Sequence, residues 1–195
     1  MMKLSYARRS LVRPFAEGMA RVIVRTGITP NALTVLGFLT SVGAAIVIAT
    51  GHIAIGGVVV LVSGLFDLLD GSVARLTNRV TRFGALLDST LDRFSEIAIL
   101  LALLVLCLEQ YSSVEVFLVF IVLVGGILVS YVRARAEGLG ISCDVGLFTR
   151  PERVIVLAIG LLANQVVIVL WILAVMTHVT VAQRIIHAWR QVRGE

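Results

Sequence analysis

The chain has 195 residues, of which 58% are hydrophobic and 15% are charged. A soluble domain of this size carries roughly 25% charged residues, so the composition excludes an ordinary soluble protein and indicates a polytopic membrane protein. The two cysteines and three histidines are scattered along the chain, which argues against a disulfide framework, a zinc site and any metal site built on histidine.

The chain begins with a stretch, residues 3–25, in which basic and apolar side chains are mixed. This pattern predicts an amphipathic helix that lies in the membrane interface. Pro14 is expected to start a new segment there or to kink the helix. We expect residues 1–25 to form this juxtamembrane segment and residues 26–195 to form the membrane domain.

Six apolar runs follow, at about 31–50, 53–74, 84–108, 114–132, 152–166 and 167–183. A membrane-spanning helix needs roughly 20 residues. The predicted fold is therefore all-α, a polytopic membrane protein with six transmembrane helices. Only Asn164 and Gln165 interrupt the long stretch formed by the last two runs, but the whole stretch is too long for a single pass.

The positions of the basic residues support this arrangement. All 17 lysines and arginines lie before the first run, around the second-to-third or fourth-to-fifth connection, or near the end of the chain, and the other three connections contain none. The positive-inside rule predicts a multi-pass protein of the cell membrane with both termini in the cytoplasm. The basic balance then reflects an anionic membrane surface and its lipids, and no nucleic acid is expected as a partner.

Four aspartates stand where the second and third runs approach their connection. Asp67 and Asp70 lie one helical turn apart, and so do Asp88 and Asp92, so each pair shares a helix face. The short connection LTNRVTR makes the two helices antiparallel neighbours, so the four carboxylates are expected to converge. Oxygen ligands without histidine or cysteine suit Mg²⁺ or Mn²⁺, and four carboxylates are enough for two ions if some of them bridge.

Other interpretations of these acids remain open. They could form salt bridges with the arginines on either side, or mark an ion pathway through a metal-ion transporter. Their position near one membrane side and the lack of an inverted repeat argue against a transporter. A non-catalytic lipid-binding membrane protein is a further alternative. Glu96, one turn after Asp92, is expected to pair with Arg93 or to support the metal ligands. The pairs Gly56-Gly57 and Gly125-Gly126 predict close helix packing.

The pattern Asp67-x2-Asp70-Gly71-x2-Ala74-Arg75-x8-Gly84-x3-Asp88-x3-Asp92 resembles the signature of the CDP-alcohol phosphatidyltransferase family. The resemblance implies transfer of a phosphatidyl group from a CDP-linked lipid to an alcohol, with release of CMP, by a homodimeric enzyme. It implies that the four aspartates bind two Mg²⁺ ions, with Mn²⁺ as the alternative, and that Asp92 also activates the acceptor hydroxyl as a base. The residues that it implies along the CDP-lipid are Asn31, Ala32, Leu33, Thr34, Gly71, Ala74, Arg75 and Thr81.

Arginines near the fourth-to-fifth connection bear on the acceptor. Their guanidinium groups suit phosphate, although the positive-inside rule and lipid headgroups also account for such charges. The stretches SYVRARAE, RPER and AQR resemble phosphatidylinositol-phosphate synthases of actinobacterial type. This implies CDP-diacylglycerol as donor and inositol 1-phosphate as acceptor, with its phosphate held by Arg133, Arg153 and Arg184. That subfamily typically has lysine at the first of these positions. Glycerol 3-phosphate as acceptor and CDP-archaeol as donor remain the alternatives.

Overall fold

The computed structural model describes residues 16–110 and 113–194, and the regular structure in these ranges is entirely helical. Residues 16–25 form α1. The longer helices are α2 (Pro30–Ala49), α3 (Ile53–Leu76), α4 (Arg82–Gln110), α5 (Ser113–Gly138), α6 (Arg150–Leu162) and α7 (Val166–Arg193). The predicted all-α fold is confirmed, and each of the six apolar runs coincides with one of the helices α2 to α7.

Local sequence explains where several helices begin and end. Thr29 precedes α2, and its hydroxyl accepts a hydrogen bond of 3.3 Å from the backbone N–H of Ala32, as an N-cap residue does. Pro151 lies in the first turn of α6, where its missing N–H has no helical partner to lose. Asn164 has a φ of 54° between α6 and α7, so the helix break predicted at this point is confirmed.

The helices pack as a bundle in which α3 contacts α2 and α6, α4 contacts α2 and α5, and α7 contacts α5 and α6. Since lipid is as apolar as the core, close van der Waals packing has to stabilise such a bundle. Two glycines make this packing possible. A Cβ on Gly57 would lie 3.0 Å from Cβ of Leu161, and a Cβ on Gly125 would lie 2.3 Å from Oγ1 of Thr177. The close packing predicted at these two glycine pairs is therefore present.

Four helices, α2, α3, α5 and α7, are long and apolar enough to cross a membrane. Large apolar side chains on their outer faces support this, such as Phe117 and Ile168, which are 68% and 56% exposed. The remaining two of the six helices, α4 and α6, differ from these four. α6 has 13 residues, fewer than the roughly 20 of a typical span, and the first half of α4 carries several charged side chains.

The N-terminal segment is described only from residue 16 onward, so most of the predicted interfacial helix, residues 1–15, lies outside the described residues. Within α1, Ala20 is fully buried in a small apolar cluster with Leu33 of α2 and Val73 of α3. Val22 on the same helix is 64% exposed. The helix α1 therefore packs against the start of α2 and the end of α3 with one face.

Candidate active site

The four aspartates of the signature lie on α3 and α4, on either side of the turn that joins these helices. Asp70 is buried, and Asp67, Asp88 and Asp92 are half-buried. Asp67 and Asp92 face each other closely enough to share one partner. The Nη1 atom of Arg150, the first residue of α6, contacts Oδ2 of Asp67 and lies 2.7 Å from Oδ1 of Asp92. The positively charged guanidinium group of Arg150 therefore lies between α3 and α4.

The third helix of the site is α2, whose Thr34 contacts Asp70 of α3. The hydroxyl of Thr34 donates a hydrogen bond of 2.7 Å to Oδ2 of Asp70, and both residues are buried. A buried carboxylate needs such a donor, because it has lost its water. Thr34 was predicted to lie along the CDP-lipid, so the structure joins a residue of that group to a predicted metal ligand.

Asp92 lies between two arginines. Besides Arg150 on one oxygen, Nη1 of Arg93 lies 3.3 Å from the other oxygen, Oδ2. Arg93 is itself fixed, since its Nε donates to Oγ of Ser130 on α5 at 3.0 Å and its Nη1 donates to the backbone carbonyl of Ser89 at 2.8 Å. The carboxylate of Asp92 is therefore oriented from both sides.

A divalent cation has to fit among these residues if the predicted metal site is right. As the side chains stand, no group of three or more His, Cys, Asp or Glu in the described ranges is close enough together to hold a metal ion. The donor set nevertheless suits Mg²⁺ or Mn²⁺, because it consists of carboxylate oxygens. The two ion pairs of Arg150 also show that the space between Asp67 and Asp92 stabilises a positive charge. The residues fit the ions on condition that Arg150 withdraws.

The residues predicted along the CDP-lipid form two small groups. In the first, the backbone N–H of Gly84 donates to Oγ1 of Thr81 at 2.9 Å, and a Cβ on Gly84 would lie 3.1 Å from Oδ1 of Asn31. Since glycine has no Cβ, the side chains of Asn31 and Thr81 can lie this close to the backbone at position 84. In the second, Arg75 folds back over Gly71, where an added Cβ would lie 3.3 Å from its Nη1.

The remaining members of the predicted CDP-lipid group carry apolar side chains. Leu33 is 2% exposed and packs into the cluster with Ala20 and Val73, so its side chain serves the core. Ala32 and Ala74 are half-buried. These residues offer no polar side-chain atom, and any contact they make with a nucleotide or diphosphate has to come from the backbone or from the space that small side chains leave.

Arg153 is the most buried of the three arginines predicted to bind the acceptor phosphate. Its Nε and Nη2 each donate a hydrogen bond of 2.7 Å to the carboxylate of Glu96, while its Nη1 is buried and has no hydrogen-bond partner among the residues that the structure describes. The expected pairing of Glu96 with Arg93 is wrong, because Arg93 is taken by Ser130 and Asp92. A Cβ on Gly126 of α5 would lie 2.9 Å from Oε1 of Glu96, so the glycine leaves room for this carboxylate.

Arg184 and Arg133 have partners of their own. Arg184 is 3% exposed, and it donates to the backbone carbonyl of Val145 at 2.9 Å and to a backbone carbonyl of α5. Arg133 is half-exposed and pairs with Glu137 at 2.7 Å and with Asp144 at 2.9 Å. The structure therefore does not bring the three predicted arginines onto one common partner.

A cavity lies beside the aspartates, within the bundle. Its polar lining consists of Ser41, Ser63, Asp67, Asp92, Ser95, Glu96, Arg150 and Arg153, and the rest of its wall is apolar. In the described part of the chain, two of these groups contain a buried nitrogen without a hydrogen-bond partner, namely Nε of Arg150 and Nη1 of Arg153. Carboxylates that suit cations and guanidinium groups that suit phosphate thus line the same space.

The sequence analysis placed Arg150 only in the cluster of arginines near the fourth-to-fifth connection and missed its contact with the aspartates. A signal for it exists. Arg150 and Arg153 are spaced i and i+3 at the start of a helix, so they share a face, and a cluster of four acids inside a membrane protein requires cations from somewhere.

Comparison with known proteins gives a consistent result. The model of the CDP-alcohol phosphatidyltransferase family matches residues 27–189. The phosphatidylinositol phosphate synthase of Mycobacteroides abscessus is 38% identical over 185 residues, covering 90% of this chain and 84% of that protein. The archaetidylinositol phosphate synthase of Methanothermobacter thermautotrophicus is 34% identical over 191 residues, covering 95% of this chain and 94% of that protein.

Solved structures agree with these relatives. The crystal structure of Mycobacterium tuberculosis phosphatidylinositol phosphate synthase with CDP-DAG bound matches with a TM-score of 0.81 at 35% identity, over 89% of this chain and 93% of that chain. The structure of the same enzyme in complex with manganese and citrate matches with a TM-score of 0.82 at 35% identity, over 89% and 88%. The resemblance seen in the aspartate signature is confirmed, and the chain belongs to the CDP-alcohol phosphatidyltransferase family.

Proposed function

We propose that the protein transfers the phosphatidyl group of CDP-diacylglycerol to a hydroxyl of inositol 1-phosphate, giving phosphatidylinositol phosphate and CMP. The observation that carries the proposal is the shared cavity, in which Asp67 and Asp92 lie beside Arg150 and Arg153. Transfer from a diphosphate chiefly requires positioning and neutralisation of negative charge. Carboxylates that hold cations and arginines that hold phosphate supply both.

The choice of acceptor is supported by the names of the relatives. The bacterial relative is a phosphatidylinositol phosphate synthase and the archaeal relative an archaetidylinositol phosphate synthase, so the two names differ in the lipid part and share the inositol phosphate part. Since the two relatives are similarly identical to this chain, the headgroup that they share is a better guide to its substrate than the lipid in which they differ. Inositol 1-phosphate is therefore favoured over glycerol 3-phosphate, whereas CDP-archaeol remains the alternative donor to CDP-diacylglycerol.

The proposed metal ligands are Asp67, Asp70, Asp88 and Asp92, which would hold two Mg²⁺ or Mn²⁺ ions. Bound ions would neutralise the diphosphate and stabilise CMP as the leaving group. A relative of this chain has been solved in complex with manganese. Thr34 would keep the carboxylate of Asp70 turned toward the site through its hydrogen bond, as residues behind metal ligands commonly do.

Asp92 is proposed as the base that takes the proton from the attacking hydroxyl. It lines the cavity, so an acceptor there can reach hydrogen-bonding distance, which is the first requirement for a general base. Arg93 contacts its Oδ2 at 3.3 Å and leaves the other oxygen, Oδ1, to Arg150. The proton would leave the hydroxyl for a carboxylate oxygen while the acceptor oxygen forms the new bond to the phosphorus of the phosphatidyl group and the bond from that phosphorus to the oxygen of CMP breaks, which releases CMP.

The CDP-lipid would lie along α2 and α3. The proposed contacts are Asn31, Ala32, Leu33, Thr34, Gly71, Ala74, Arg75 and Thr81. The polar members of this set flank the aspartates on the side of the α3–α4 turn, which suits a ligand whose diphosphate must reach the metal ligands. The acceptor phosphate would be bound by Arg153 through its free Nη1, with Arg133 and Arg184 contributing positive charge from α5 and α7.

The fold would cross the membrane six times, with α4 and α6 as additional spans. The 29 residues of α4 measure about 43 Å at 1.5 Å per residue, which exceeds the hydrocarbon thickness. Its charged residues do not oppose a span, because Asp92 and Glu96 line the interior cavity. The distribution of basic residues favours a cell-membrane enzyme with cytoplasmic termini and residues 1–25 in the interface. Residues 26–195 would form the catalytic domain, and the resemblance to the family implies a homodimer.

An acceptor panel tests the proposal. Purified protein with CDP-diacylglycerol and Mg²⁺ is given inositol 1-phosphate, glycerol 3-phosphate, inositol or serine, and CMP release is measured. The expected result is release with inositol 1-phosphate that stops in excess chelator. Release with glycerol 3-phosphate instead would replace the acceptor and keep the reaction class. If none of the four acceptors leads to CMP release, with either CDP-diacylglycerol or CDP-archaeol as donor, a metal-ion transporter would be favoured.

A further inference from the structure

The position of Arg150 between Asp67 and Asp92 bears on how the site takes up metal. One nitrogen of its guanidinium group, Nη1, contacts an oxygen of each carboxylate, and the two carboxylates come from different helices. The three side chains are largely shielded from water, with 18%, 21% and 12% of their surfaces exposed. Ion pairs in such surroundings are screened much less than surface pairs, so Arg150 is the local counter-cation of these two acids.

A guanidinium group and a divalent cation cannot both occupy this position. A metal ion bound by Asp67 and Asp92 needs the oxygens that Arg150 now contacts, and two cations at such short range repel strongly where water is scarce. Metal binding at these residues therefore requires Arg150 to leave. The arginine competes with the metal for the same carboxylates.

The structure leaves Arg150 able to move. Within residues 16–110 and 113–194 its ion-pair partners are the two carboxylates, and its buried Nε has no hydrogen-bond partner there. Arg150 is the first residue of α6, so a change of side-chain torsions suffices. Arg153, one turn later, differs in this respect, because both oxygens of Glu96 hold it by two hydrogen bonds of 2.7 Å. Arg153 is therefore fixed by Glu96, whereas Arg150 is held by the same carboxylates that a metal ion would bind.

We propose that Arg150 is a displaceable counter-cation, which holds Asp67 and Asp92 together before metal binding and is released into the cavity beside Arg153 when the metal binds. After its release, the guanidinium group is available to the phosphate oxygens of a substrate. The inference rests on the proposed function, because it takes Asp67 and Asp92 as metal ligands. It adds a residue to the site that the signature of the family does not contain.

The test measures metal binding without substrate. Purified protein in detergent is titrated with Mn²⁺, and free Mn²⁺ is measured by electron paramagnetic resonance for the natural chain, Arg150→Gln, Arg150→Lys and Arg190→Gln. The last variant removes the same charge from an exposed position near the end of α7. Arg150→Gln is expected to bind Mn²⁺ about tenfold more tightly, at the lower end of what a neighbouring arginine does to proton binding by an aspartate. Arg150→Lys is expected to fall between, and Arg190→Gln to match the natural chain.

Thermal unfolding in excess chelator provides a second measurement. Arg150→Gln is expected to unfold at a lower temperature than the natural chain without metal, since two carboxylates lose their counter-cation, and to recover when Mn²⁺ is added. Unchanged or weaker Mn²⁺ binding by Arg150→Gln would overturn the inference, as would an equal gain in Arg190→Gln. If Arg150→Gln does not fold, an Arg150→Lys variant that binds Mn²⁺ no more tightly than the natural chain has the same consequence. If one of these contrary results is found in a protein that still releases CMP with metal, the role of Arg150 is refuted and the proposed function stands.

Discussion

The ion pair between Glu96 and Arg153 is expected to determine both the stability of the bundle and its affinity for the acceptor. Arg153 exposes 3% of its side chain and Glu96 exposes 16%, and two hydrogen bonds of 2.7 Å join them. Removing one partner of such a pair leaves the other charge buried, which typically costs about 3–5 kcal/mol. Glu96→Gln keeps the shape and one acceptor oxygen, so we expect the lower end, about 3 kcal/mol.

This loss is measurable as a change in melting temperature. For a chain of this length, each kcal/mol corresponds to roughly 2–4 °C, so Glu96→Gln is expected to melt about 6–12 °C lower than the natural protein. Unfolding in detergent can be followed through the fluorescence of Trp171 and Trp189. The same variant should raise the KM for inositol 1-phosphate more than the KM for CDP-diacylglycerol, because Arg153 is no longer held with its free nitrogen toward the cavity.

A double variant separates the two effects. Glu96→Leu combined with Arg153→Met removes both charges, and replacing a whole buried pair by apolar side chains is often neutral or stabilising. The double variant is therefore expected to regain most of the lost melting temperature and to remain poor in binding the acceptor. A single variant that melts within a degree or two of the natural protein would refute the reasoning, and so would a double variant no more stable than the single one.

Three further predictions concern the aspartates and the CDP-lipid. Asp92→Asn should lower turnover by at least about a hundredfold, the usual contribution of a general base, and still bind CDP-diacylglycerol in a direct binding assay. Thr34→Val should weaken Mn²⁺ binding by roughly ten- to a hundredfold, because the carboxylate of Asp70 loses its hydroxyl donor. Gly84→Ala should raise the KM for CDP-diacylglycerol, since the new Cβ would lie 2.9 Å from Oγ1 of Thr81.

Matched controls for the last two variants lie on α2. The hydroxyl of Thr40 donates only within its own helix, to the carbonyl of Leu36, so Thr40→Val should leave Mn²⁺ binding as it is. An added Cβ on Gly43 meets no atom within 4 Å, so Gly43→Ala should leave the KM unchanged. Equal effects of a variant and its control would mean that the contact named for that variant is not the cause. Natural turnover in Asp92→Asn would exclude its role as base.

The helices were predictable because each depends on a long run of apolar residues, and such runs can be read locally. The break at Asn164 could be predicted for the same reason, since a polar pair interrupts a stretch too long for one pass. The number of spans is harder to read. α6 is short and α4 begins with charged residues that face the interior of the bundle, and only the arrangement of neighbouring helices decides whether such segments cross.

The partners of charged side chains could be predicted only in part. The convergence of the aspartates follows from helical spacing and a short connection, both of which are local. The partner of Glu96 is not local. Arg93 is its nearest basic neighbour in sequence, but Ser130 of α5 draws Arg93 away and the gap at Gly126 lets Glu96 reach Arg153. Such choices depend on which face α5 and α6 turn toward α4.

The charges of the site imply an order of binding. The site and its surroundings on α3, α4 and α6 contain five carboxylates and three guanidinium groups, namely Asp67, Asp70, Asp88, Asp92 and Glu96 with Arg93, Arg150 and Arg153. The carboxylates are in excess, which favours uptake of a cation before an anionic acceptor. While Nη1 of Arg150 is engaged by Asp67 and Asp92, the charge of this arginine is spent on the two acids, and Arg153 is the arginine that can offer its Nη1 to the acceptor phosphate. Once divalent cations take those acids, the repulsion falls and a second arginine is released. Metal therefore has to raise the affinity for inositol 1-phosphate even when no CDP-lipid is bound, and by reciprocity the phosphate has to raise the affinity for metal.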